Sequence, residues 1–165
     1  MTPPTALPIR YDSTMKLFPE GESRGKSVVR LLVAVAMTVM GVLHFVRTDD
    51  FARTVPDWLP AHVLLVQVSG VFEILGGVGL LVAPVRRVAA LGLVLLYIAV
   101  FPANVHMATH HIGLGDTAVS PAVLWVRLPF QLVFIAIAIW LARPGGHRRF
   151  AGRAGDGPRG DGAMR

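Results

Sequence analysis

The stretch 61–83, "AHVLLVQVSGVFEILGGVGLLVA", decides how the rest of the chain is read. Its single ionisable side chain beyond His62 is Glu73, and apolar residues fill the run without the two-residue alternation of a barrel strand. Its length is close to the roughly 20 helical residues that a bilayer core requires. The stretch therefore reads as a transmembrane helix, and three more blocks repeat the pattern: 27–46 "SVVRLLVAVAMTVMGVLHFV", 86–108 "RRVAALGLVLLYIAVFPANVHMA" and 121–142 "PAVLWVRLPFQLVFIAIAIWLA".

Composition agrees. Of 165 residues, 53% are hydrophobic and 16% charged, and the mean hydropathy is +0.58. The predicted fold is all-α: one domain over 27–142, a four-helix transmembrane bundle, between a polar tail (1–26) and a Gly- and Arg-rich tail (143–165), both expected to be disordered. The first apolar block lacks a cleavage site and is expected to stay in the mature protein. No cysteine is present, which excludes disulfides and thiolate chemistry within this chain.

The formal charge of +6 is placed by topology and calls for no nucleic acid. Lys and Arg gather in the two tails and in the link "PVRR", whereas the loop 47–60 balances Arg47 and Arg53 against Asp49, Asp50 and Asp57. The positive-inside rule then puts both termini in the cytoplasm. Arg30, near the start of the first block, is expected to snorkel to headgroups. The loop "RTDDFARTVPDWLP" offers Phe51, Val55, Trp58 and Leu59 as the apolar side of a short interfacial helix.

Within this frame the polar residues acquire depths. Glu73 lies about twelve residues into its helix, roughly 18 Å down, beside Ser69, Gly70, Gly76 and Gly77, small residues that admit a close neighbour. His44, Gln67, Asn104, Arg127 and Gln131 fall in the outer half of the bundle on the same topology. Together they suggest an outward-opening polar cavity, with Arg127 as the expected partner of Glu73. A neutral, protonated Glu73 is the alternative, because low dielectric disfavours an unpaired charge. Pro102 and Pro129, inside the third and fourth blocks, are expected to kink them and make room beside Asn104 and Gln131. Intramembrane ionisable residues are functional candidates, yet such polar groups also serve simply to hold helices together. Both readings stand at this point. His106 and His110 would share a helical face suited to a metal, but the helix is expected to end near 108, so no metal site is assigned and a haem is disfavoured.

Five short motifs, "GVLHF", "VPDWLP", "SGVFEILGG", "FPANVHMA" and "RLPFQ", resemble in order and spacing the DoxX family of small bacterial inner-membrane proteins, over roughly residues 28–142. The positions carried by the resemblance are His44, Pro56, Pro60, Gly70, Glu73, Pro102, Asn104, Arg127 and Gln131. It implies a four-helix inner-membrane protein associated with a quinol-oxidising context; the chain's own side chains include no convincing redox centre, so it is expected not to be catalytic on its own. The expected function is then an accessory subunit that binds a quinone, lipid or other small amphiphile. Membrane lipid, another membrane or soluble redox protein, or a second copy of the chain would be its partners. An assembly protein whose polar groups only pack the bundle is the rival, and a small proton-coupled carrier the third.

Overall fold

The computed structural model describes residues 22–113, 115 and 119–144; the expectations for the tails, apart from residues 22–26, 143 and 144, lie outside them. Among the described residues there is no strand. Four helices are long and apolar enough to cross a membrane: α1 (Arg24–Val46), α3 (His62–Leu81), α4 (Arg86–His110) and α5 (Pro121–Ala142). A short helix, α2 (Thr48–Ala52), lies between α1 and α3, and a 3₁₀ turn, Ala83–Val85, leads into α4. The protein is an all-α, multi-pass membrane protein.

Helix ends differ from the sequence reading by a few residues, with local causes. α1 starts at Arg24 because Ser23 caps it, its side chain accepting from the Lys26 N–H. α4 continues to His110 and stops where His111 turns left-handed at φ 55°, its N–H bonding Met107 O. Prolines 102 and 129 both sit inside continuous helices, so neither ends its element.

Glycine decides which helices touch. α1 and α3 cross so closely that a Cβ on Gly41 would lie 2.6 Å from Gly70 O, and one on Gly77 would lie 2.7 Å from Ala34 O. The other side of α3 admits α4 in the same way: a Cβ on Gly76 would meet Leu93, and one on Gly79 would meet Ala89. In a lipid solvent apolar burial gives helices little reason to associate, so this backbone proximity supplies much of the attraction. α5 packs on α4, and Ala34, Leu80, Ala90, Leu93, Tyr97 and Ala138 join the core.

At the end where α1 begins and α5 ends, Lys26 Nζ donates to Arg143 O at 2.6 Å and stands 5.6 Å from the Trp140 ring, tying α1 to α5. Arg30 does not snorkel outward. It is buried, 4% exposed, and its guanidinium turns to Glu22 and Ser27. The opposite end is covered by 47–60, where Thr54 and Val55 are buried while Trp58 is 73% exposed.

Candidate functional site

Glu73 sits midway along α3 on the face that carries Gly70 and Gly77, and is 8% exposed. The two glycines admit α1 and so determine what Glu73 meets. That neighbour is His44, its Nδ1 3.2 Å from Glu73 Oε2. Arg127, the partner expected from the sequence, is exposed on α5 and forms no ion pair with Glu73. α1 reaches Glu73 because a glycine crossing brings its backbone in; α5 packs on the far side of α4.

The His44–Glu73 contact is incomplete as a hydrogen bond. His44 Nδ1 also lies 2.9 Å from Met40 O, four residues back on its own helix. One ring N–H can point along one of these directions only, and Glu73 Oε2 is left fully buried with no hydrogen-bond partner. A buried acceptor without a donor costs about 1–3 kcal/mol. Above the pair, Phe51 of α2 stacks on the His44 ring, centroids 4.0 Å apart and planes 21° off parallel. The short helix thus roofs the site.

A second polar group links α4 to α5. Asn104 Nδ2 donates to Gln131 Oε1 at 2.8 Å, and Gln131 Nε2 donates to the Tyr97 carbonyl at 2.5 Å. Pro102 has no N–H to give to the Ile98 carbonyl four residues back, and Gln131 donates to the carbonyl one residue earlier. The Tyr97 hydroxyl donates to Met37 Sδ on α1 at 3.0 Å, so Tyr97 joins α1 to this second polar group.

The other candidates are placed apart. Ser69, half-buried, donates to Val66 O on its own helix at 2.8 Å. Gln67 is exposed and lines a shallow surface groove with Ala61, His62, Val63 and Leu64. His106 and His110 do share a face, since α4 continues past 108: their ring centroids are 4.3 Å apart, and His106 Nδ1 is 3.2 Å from Thr54 O. Among the described residues, no three His, Cys, Asp or Glu side chains gather as a metal site. Tyr97 and Met37 were missed by the sequence reading, and Phe51 was read only as part of the interfacial segment. Tyr97 stands seven residues before Asn104, two helical turns along one face, and that spacing was a usable signal. Phe51 carried none, because its contact with His44 depends on how the loop folds back.

The family described as a domain of unknown function, DUF8561, matches residues 33–142, and the chain belongs to it. No curated protein and no solved structure matches the chain. The match corrects the resemblance to the DoxX family, and with it goes the support for a quinol-linked context. The physical reason is that the five motifs are prolines before or within helices, close-packing glycines and interhelical polar residues, which unrelated four-helix membrane bundles need in similar places.

Proposed function

Starting from membership in a family without an assigned activity, we propose that the protein is a non-catalytic binding protein of the bacterial cytoplasmic membrane. Its ligand is a small amphiphile, such as a lipid with a hydroxyl or amine headgroup, whose polar group donates a hydrogen bond to Glu73. The observation that carries this reading is the buried Glu73 Oε2 without a donor. A ligand O–H or N–H would supply what His44, engaged by Met40 O, does not. His44 packs beside that oxygen, and Phe51 covers the His44 ring. The positive-inside rule supports a cytoplasmic side for the end where α1 begins and α5 ends, since Arg24, Lys26, Arg30, Arg86, Arg87 and Arg143 gather there. The site then lies toward the outer side.

A packing role is the better reading for the second polar group. The Asn104–Gln131–Tyr97 contacts are complete within the bundle, so they ask for no ligand.

The test is extraction of small molecules from the purified protein in nanodiscs, alongside a Glu73→Gln variant of unchanged unfolding temperature, with mass spectrometry of the extracts. One compound enriched on the wild type and absent from the variant is the expected result. Bulk lipid alone on both would leave packing as the role of Glu73 as well.

A further inference from the structure

The end of α4 carries two histidines that the reading of Glu73 leaves unused. Their spacing of four suits a shared metal ion only if the helix runs through both. It does: α4 continues to His110, and the rings of His106 and His110 are centred 4.3 Å apart and inclined by 45°. Each ring is also held by its other nitrogen. His106 Nδ1 is 3.2 Å from Thr54 O, and His110 Nδ1 is 3.1 Å from His106 O. The Thr109 hydroxyl, 3.0 Å from His110 Nδ1, gives its own proton to the backbone of α4. A carbonyl oxygen only accepts, so in both rings Nδ1 carries the proton. The lone pair of each neutral ring is then on Nε2, and neither Nε2 has a hydrogen-bond partner among the described residues.

Histidines that bind metals characteristically donate the second ring N–H to a carbonyl or carboxylate, which sets the tautomer and steadies the ring. Two neighbouring rings have that arrangement here. Two imidazole nitrogens on one tetrahedral ion, at about 2.0–2.1 Å each, stand about 3.3 Å from one another, within reach of rings centred 4.3 Å apart. Access is open, since His110 is exposed and His106 half-buried in the closing turns of the helix, where the carbonyl end of the macrodipole favours a cation. We propose that His106 and His110 form a two-histidine site for a divalent transition-metal ion, bound through both Nε2 atoms with water completing the coordination. Imidazole suits zinc, nickel and copper, and copper(II) binds the tightest of the three. The chain has no cysteine to compete for the ion. An ion on His106 Nε2 also locks the tautomer that donates to Thr54 O, and so braces the segment 47–60 against α4. The site stands independently of the function proposed for Glu73.

Isothermal titration of Zn²⁺ or Cu²⁺ into the purified full-length protein, stripped by chelator and carrying no polyhistidine tag, tests the assignment. One ion per chain is expected. His110→Gln should weaken binding by about a hundredfold, because one imidazole remains and the chelate is lost. Its exposed position leaves folding intact, which an unchanged unfolding temperature without metal verifies. His106→Gln should weaken binding equally. His62→Gln removes a histidine from another helix and should leave the affinity unchanged. The electron paramagnetic resonance spectrum of the Cu²⁺ complex should show coupling to two ring nitrogens, reduced to one in His110→Gln. No saturable uptake below about 1 mM metal overturns the proposal. So does an undiminished affinity in His110→Gln, or an equal small loss in all three variants, which would mean scattered surface histidines.

Discussion

If backbone proximity at glycines holds α1 to α3, then adding one methyl group at the crossing should loosen the bundle, and a methyl elsewhere should not. Gly77→Ala would place a Cβ 2.6 Å from Thr38 Oγ1 and 2.7 Å from Ala34 O. Ordinary contact begins at 3.4 Å, so α1 would have to retreat by about 0.7 Å (3.4 less 2.7). The Ala34 carbonyl belongs to the helix backbone, so no rotamer change relieves the clash. Overpacking of this kind costs about 1–3 kcal/mol. The fair comparison is Gly92→Ala on α4, where nothing lies within 4 Å of the added Cβ. Both changes bring the same gain in helix propensity, up to about 1 kcal/mol, and the difference between them isolates the packing cost. Gly77→Ala should thus be less stable than Gly92→Ala by about 1–3 kcal/mol, a factor of roughly 5 to 150 in the unfolding equilibrium. Reversible unfolding in mixed micelles, titrated with a denaturing detergent and followed by tryptophan fluorescence, measures that difference. Equal stabilities would refute the reasoning, because the glycines would then be incidental to the crossing.

Other substitutions report on the two polar groups and their roof. Gln131→Leu removes the donor to the Tyr97 carbonyl and the acceptor for Asn104, and should cost about 0.6–1.7 kcal/mol in the same titration; a neutral result would mean that the contact is not formed in lipid. Phe51→Ala removes the ring stacked on His44. Stacking of about 0.5–1.5 kcal/mol then implies that carbethoxylation of His44 quickens by about two- to tenfold, and an unchanged rate would show that α2 does not cover the site. Glu73→Gln should leave the unfolding temperature near that of the wild type while the extracted ligand disappears; a variant that unfolds outright would assign Glu73 to packing.

Most of the fold was legible in the sequence because the bilayer imposes a requirement that composition alone can meet. A run such as 61–83 is too long and too apolar to be anything but a spanning helix, and backbone hydrogen bonds within each helix satisfy that segment without reference to its neighbours. Gly70, Gly76 and Gly77 could be read as a close-packing surface on the same local grounds. The boundaries moved by a few residues, at Ser23 and His111 and at both ends of α3, where Ala61 is left-handed and Val82 extended.

The candidate site was legible only in its membership. Sequence placed Glu73, His44, Asn104 and Gln131 at compatible depths, since depth follows from rise along a helix. It did not determine that Glu73 meets His44 while Arg127 stays exposed, that Gln131 reaches the Tyr97 carbonyl, or that Arg30 turns inward to Glu22. Each of those facts depends on the rotation of one helix about its axis relative to another, and that rotation is settled by which backbones can approach. At the α1–α3 crossing, Gly41, Gly70 and Gly77 allow contact at distances a Cβ would forbid. Apolar periodicity along a single helix is weak evidence for rotation in a bilayer, because lipid and protein interior are both apolar. Individual sequence segments specify the spanning helices; the choice of partner for each polar side chain belongs to the packing between them.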